Sequence, residues 1–219
     1  MKRMNSALAT LAAVAALQMA SADARAEIQL SVYGGGSQSF DSDVDVKQGG
    51  TSTTYKDVSW DAENFKMPPH WGVRGTWWFD SWPNWGVALD YTHSKVKADP
   101  RPAGFDTLEF TDGLNIVTAN AMYRYPTETR FTPYGGLGVG LSIPHVEVTT
   151  ANSHTFEYQV AGVAAQGILG VDVLVWKGLS VFGEYKLSYT RNDADLNGGG
   201  SLETNIWTNH FNLGIAYRF

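Results

Sequence analysis

The sequence predicts an all-β chain closed into an eight-stranded antiparallel up-and-down transmembrane β-barrel, with short turns at one end and long loops at the other. Three observations predict it. The last stretch, residues 205–219, alternates strictly: Phe211, Leu213, Ile215, Tyr217 and Phe219 fall on one face of an extended strand, and His210, Asn212, Gly214, Ala216 and Arg218 on the other. Upstream segments show the same period of two. The connections between them run alternately long and short, as an even-stranded membrane barrel requires.

The first strand is expected over 28–40, where Ile28, Leu30 and Val32 oppose Gln29, Ser31 and Tyr33. A polar stretch over 41–69, rich in Ser, Thr, Gly and Asp, reads as a loop. Strand two (70–80) sets Trp71, Val73 and Trp77 against His70, Arg74 and Thr76, and Trp82, Pro83 and Asn84 lie in a tight turn. Strand three (85–97) is followed by a loop over 99–111, and strand four (113–125) by a turn over 126–130. Strand five (131–149) alternates Leu137, Val139, Leu141 and Ile143 with Gly136, Gly138, Gly140 and Ser142, so its glycines read as small residues lining the lumen. Strand six (155–174) slips near Gly162, where a bulge is expected. Strand seven (179–191) and the terminal strand are separated by a Gly-rich loop over 192–203. Trp82, Trp85 and Trp176 are expected at the periplasmic interface, and Trp60, Trp71 and Trp207 at the outer one. A soluble lipocalin-like barrel has a similar strand count but turns its apolar faces inward. The terminal aromatic and the small polar lumen set favour the membrane form.

Residues 1–26 read as a cleaved Sec-type signal peptide: Lys2 and Arg3 precede an apolar stretch over 7–20 and an Ala24-Arg25-Ala26 cleavage site. The apolar stretch is shorter than a spanning anchor needs. Residues 27–219 then form one domain, the barrel. The absence of cysteine excludes disulfides, thiolate metal sites and cysteine nucleophiles. A net charge of −6 argues against nucleic-acid binding. No Gly-rich turn joins a strand to a helix, so no nucleotide or flavin site is expected.

Arg74, Asp90, Arg124, Glu184 and Lys186 project into the lumen by parity and read as a self-neutralising ion network. The histidines carry more information, because all five map to the outer half of the barrel. Pairing about the first short turn brings His70 opposite His93 or Ser94; pairing about the second brings His145 near Asp112; pairing across the following loop brings His145 near Glu157. His70, His93, Asp112, His145 and Glu157 are therefore the candidate catalytic residues, with His145 and Glu157 able to hold a divalent transition metal. Asp112 would fix the tautomer of a neighbouring imidazole. Parity turns His70 and His210 inward but His93 and His145 toward lipid, unless the strand slips at Pro144. The bland alternative leaves these side chains as interfacial residues. Adjacent His93 and Ser94 fall on opposite faces, which disfavours a serine lipid A deacylase.

Two resemblances follow. The aromatic C-terminal residue resembles the assembly signal of outer-membrane barrels, which implies the barrel assembly machinery as a partner and the outer membrane of a Gram-negative bacterium as the location. The whole chain resembles the OmpA-like and OmpW-like barrels. More narrowly, Pro68-Pro69-His70-Trp71-Gly72-Val73-Arg74-Gly75-Thr76-Trp77-Trp78, Thr111-Asp112-Gly113-Leu114-Asn115, Pro144-His145-Val146-Glu147-Val148, Thr155-Phe156-Glu157-Tyr158-Gln159 and Val181-Phe182-Gly183-Glu184-Tyr185-Lys186 resemble the lipid A oxidase family of rhizobial and related bacteria. That resemblance implies an enzyme acting on lipid A of outer-leaflet lipopolysaccharide. It would oxidise the proximal glucosamine to 2-aminogluconate with molecular oxygen as co-substrate, and a rim metal would be the economical electron acceptor. The alternative is a non-enzymatic structural, adhesion or small-solute barrel of the same superfamily.

Overall fold

The computed structural model describes residues 27–219 other than 152, and of residue 111 the backbone alone. The expected signal peptide lies outside the described residues. Twelve strands are present: β1 (Glu27–Ser39), β2 (Ser42–Gln48), β3 (Thr51–Val58), β4 (Trp60–Asp61), β5 (Trp71–Trp78), β6 (Trp85–Ala98), β7 (Phe105–Arg124), β8 (Phe131–Thr150), β9 (Ser153–Tyr158), β10 (Gly162–Trp176), β11 (Leu179–Asp195) and β12 (Gly200–Arg218). The wall runs β1-β5-β6-β7-β8-β10-β11-β12, and β12 pairs with β1 from Gln29↔Arg218 to Ser39↔Thr208, closing the ring. Every wall pairing is antiparallel. The eight strands expected from alternation are the eight of the wall.

Closure fixes which face is which. Leu137, Val139, Leu169, Leu213 and Ile215 stand exposed on the exterior, while Ser142, Gln166, Ser180 and Asn212 on the opposite faces are buried. An exterior this apolar is a lipid-facing surface. Gly136, Gly138 and Gly140 of β8 face inward where there is no room for a side chain: a Cβ on Gly138 would lie 2.0 Å from Asn120 Oδ1, and one on Gly140 1.9 Å from the Val117 carbonyl oxygen.

The lumen is filled in two layers. In the first, Arg74 grips Glu184 through two parallel bonds of 2.7 and 2.9 Å, and Tyr134 donates to the same carboxylate at 2.9 Å. Lys186 donates to Asp90 at 2.6 Å, to Tyr33 Oη at 2.7 Å and to Thr92 Oγ1 at 2.8 Å, and Gln166 donates to Asp90 at 2.8 Å. Two cations face two anions, so the layer is neutral, as parity predicted. Arg124 sits apart, pairing with Glu27 and lying over the Trp78 ring at 4.5 Å. The second layer, toward the long connections, is an apolar core that includes Val44, Trp60, Leu108, Phe110, Val146, Leu202 and Ile206.

Four expectations are corrected here. The stretch 41–69 is not a plain loop: β2 pairs with β12, β3 with β2, and β4 with β6, extending the wall beyond the barrel. Val44 and Val46 alternate with polar neighbours and are buried, which gives the hairpin its inner face. Trp60 is not an interface anchor but a buried core residue, stacked on Phe110 at 6.3 Å. β7 starts at Phe105 rather than after residue 111, and the expected sixth strand is two, β9 and β10, interrupted over 159–161 near the anticipated slip.

Removing one side of a buried ion pair strands the other. Glu184→Ala is expected to destabilise the barrel by about 3–5 kcal/mol, whereas Arg74→Met combined with Glu184→Leu recovers most of the loss. Urea unfolding in phospholipid vesicles measures both; a single variant as stable as the parent would contradict the assignment.

Candidate functional site

The site grows from one irregularity. Between β6 and β7 the register passes from Ser94↔Leu114 to Val96↔Phe110, and between β7 and β8 from Leu114↔Pro144 to Phe110↔Val146. Residues 111–113 of β7 are thus opposed by Lys95 alone on one side and His145 alone on the other. The surplus buckles out of the wall as a bulge, with Gly113 at φ +101°. Asp112 is carried outward with it.

The bulge folds over a histidine. His93 stands on the outer face, in a row with Trp71, Asn115 and Ile143, yet it is only 2% exposed. Gly113 lies against its ring so closely that a Cβ there would be 2.2 Å from Nδ1. Asn115 Oδ1 is 3.1 Å from His93 Nδ1 and accepts the Tyr91 hydroxyl at 2.7 Å. Trp71 packs on Tyr91 at 5.3 Å and on His93 at 6.3 Å.

His145, also outward and buried, lies between Phe156 at 4.4 Å and Tyr158 at 4.5 Å. Its Nδ1 is 3.8 Å from Asp112 Oδ2, too long for a hydrogen bond but close enough for ion pairing when the ring is protonated. Trp71, Tyr91, His93, Asp112, Asn115 and Tyr158 border an open recess of about 460 Å³ on the outer wall. Among the described residues, His93 Nε2 and His145 Nδ1 are buried without a hydrogen-bond partner.

Of the five residues expected to form the site, His93, Asp112 and His145 are brought to this wall. His70 is not: it lies inside the barrel, 2.8 Å from Asn212 Oδ1 through Nε2 and stacked on His210 at 5.2 Å. Glu157 is not either. The β8–β9 register is His145↔Tyr158 and Val146↔Glu157, so Glu157 shares the face of core residue Val146, and its carboxylate accepts from Gln159 at 3.2 Å. The expected metal pair His145–Glu157 is therefore split across the sheet. Among the described residues no three His, Asp or Glu side chains converge, so the donor set here does not fit a resident metal. Both His93 and His145 face outward as parity indicated; the slip lies in β7 rather than at Pro144. Ser94 points inward, away from His93. Sequence reasoning missed Tyr91, Asn115 and Tyr158. The signal available was Asp112-Gly113 inside an otherwise alternating run, which marks a bulge.

Fold and site together define an outer-membrane β-barrel with a recess on its lipid-facing wall that His93, Asp112 and Asn115 border. Within that class the chain belongs to the outer membrane protein beta-barrel domain family, whose model matches residues 6–219. Its place is the outer membrane of a Gram-negative bacterium. It is similar to the outer membrane protein AlkL in lipid bilayers, with TM-score 0.54 and 13% identity over 91% of this chain and 93% of that one. It is also similar to Neisserial surface protein A (TM-score 0.47, 15% identity, 89% and 97% covered). A third likeness is to OprG of Pseudomonas aeruginosa (0.46, 16% identity, 90% and 97% covered). At these identities the likeness is one of fold. No curated protein matches the chain.

Gly113→Ala adds a Cβ where φ is positive and His93 already sits. The variant is expected to close as a barrel but to displace His93, seen as altered His93 ring resonances in NMR spectra. Unchanged resonances would show that the bulge does not hold the ring.

Proposed function

We propose that the chain modifies the carbohydrate headgroup of lipopolysaccharide, oxidising the proximal glucosamine of lipid A to 2-aminogluconate with molecular oxygen. The observation that carries this reading is the outward aim of the recess. Tyr91, His93, Asp112, Asn115 and Tyr158 stand on the wall that faces lipid rather than in the lumen. Polar groups facing hydrocarbon cost stability. A ligand that brings its own hydroxyls to that height offsets the cost. Trp71, Tyr91 and Tyr158 offer ring faces for a sugar, and the imidazole, amide and carboxylate offer hydrogen bonds. Oxidation rather than another headgroup reaction is what the resemblance to lipid A oxidases adds.

Atoms and electrons balance with molecular oxygen as the oxidant. The hydroxyl on C1 of the reducing sugar gives its proton to a base; the C1–H bond breaks, and its electron pair and hydrogen pass to oxygen, which takes the proton and leaves as hydrogen peroxide. The lactone so formed adds water to give the acid. His93, which borders the recess, is the base; its Nε2, buried and unpartnered among the described residues, is uncovered when the sugar binds. Asp112 and His145 make a second acid–base pair within reach of the same recess. His70 and Glu157, on other faces, act at most indirectly. A small-solute conduit finds less support, because the ion layer and the apolar core occupy the lumen.

Mass spectrometry of lipid A from aerated cells making unoxidised lipid A tests the reading. The parent chain is expected to yield the aminogluconate form, His93→Ala to lose about 10²–10⁴-fold in rate, and Glu157→Gln to retain activity. Unaltered lipid A with the folded parent chain in the membrane would overturn it.

A further inference from the structure

We propose that Asn115 is a positioning residue that locks His93 in the Nδ1-protonated tautomer, leaving Nε2, which is buried in the unliganded chain, as the bare nitrogen that accepts the proton of a sugar hydroxyl once binding uncovers it. The proton-transfer half rests on the function proposed above; the tautomer half does not.

The argument begins with the orientation of an amide. Asn115 faces three backbone carbonyl oxygens: Ile143 at 3.1 Å, Gly113 at 3.2 Å and Asp112 at 3.5 Å. Carbonyl oxygens only accept, so the end turned to them is the NH₂ group. A flipped amide would set oxygen against oxygen three times. Oδ1 is therefore the end that meets Tyr91 and His93, and an amide oxygen has no proton to give. Both neighbours must donate to it, Tyr91 through its hydroxyl at 2.7 Å and His93 through Nδ1 at 3.1 Å. A neutral imidazole carries one proton. With that proton on Nδ1, Nε2 is bare.

The location makes this more than local bookkeeping. Two of the three carbonyls belong to the bulge, so the distortion that carries Asp112 outward is also what fixes the amide. His93 is 2% exposed and its Nε2 has no partner among the described residues, although the residue borders the recess. The lumen supplies a contrast. Asn212 donates from Nδ2 to Glu184 at 3.3 Å, and its Oδ1 meets His70 at Nε2 rather than Nδ1. The same logic gives His70 the opposite tautomer. When His93 takes a proton, the new charge is shared with Nδ1–H, which already points at an acceptor.

The test is nitrogen NMR of the full chain in lipid bilayers with ¹⁵N-labelled histidine, at alkaline pH where the ring is neutral. The signals of His93 are identified by their loss in His93→Gln. In the parent chain Nε2 is expected to show the shift of a bare, pyridine-type nitrogen and Nδ1 that of a protonated one. Asn115→Gln, which keeps both an NH₂ and an oxygen end, preserves the pattern; Asn115→Leu loses it and gives mixed tautomers. A protonated Nε2 in the parent chain, or an unchanged pattern in a folded Asn115→Leu, overturns the proposal. If Asn115→Leu does not fold, the parent and Asn115→Gln spectra decide. The lipid A assay is read separately: Asn115→Leu is expected to lose about 10–100-fold in turnover, restored by Asn115→Gln. A parent chain with the assigned tautomer that leaves lipid A unaltered would overturn the proton-transfer half and the oxidase reading, while the tautomer stands.

Discussion

Inside hydrocarbon no water is available to satisfy a backbone N–H or C=O, so each must find a partner in the chain. The ladder from β1 round to β12 and back answers that demand, and the rest of the structure is organised by the places where the ladder fails. At three such places an amide side chain substitutes for a missing strand. Asn64 accepts from the Ser37 N–H at 2.7 Å and donates to its carbonyl at 2.9 Å. Gln159 does the same for Asp195, at 2.8 and 2.9 Å. Asn115 serves the bulge in β7.

The third of these has chemical consequences. Asn64 and Gln159 pair both of their amide ends with a single residue's backbone, and beyond it meet the Ser37 hydroxyl and the Glu157 carboxylate. Asn115 uses only its NH₂ on the backbone and leaves its oxygen to Tyr91 and His93. A structural repair thereby sets the protonation of a ring beside the recess. The lumen follows the opposite economy: Arg74, Asp90, Glu184 and Lys186 satisfy one another and present nothing outside. The charges that read in the sequence as a self-neutralising network are the interior packing of a narrow barrel, and the candidate site faces the lipid.

The wall was legible because period-two alternation is imposed on every lipid-facing strand, and eight wall strands were found where eight were expected. The outer extensions were not, because beyond the membrane both faces can be polar and the alternation of Val44 and Val46 is easily read as loop. Trp60 was misplaced for the same reason: an indole suits an interface and a core equally, and only the folded hairpin distinguishes them. Half of the site was legible. Reflection about the short turns brought Asp112 to His145, since a tight turn fixes the register. Reflection about a longer loop placed Glu157 opposite His145 when Tyr158 takes that position, and a shift of one residue moves a side chain to the other face. Asn115 carried no signal of its own, because its role exists only once the bulge has freed the carbonyls it binds.

The central claim is that the recess beside His93 opens onto lipopolysaccharide. Site-directed photocrosslinking in intact cells tests it most directly, with the crosslinking amino acid placed at Ile143, which lines the recess, and at Phe211, on the lipid-facing wall of β12 three strands away. The account predicts lipopolysaccharide adducts strongly enriched at Ile143 over Phe211. Equal yields at the two positions would contradict it, and would leave the recess as an ordinary stretch of barrel wall.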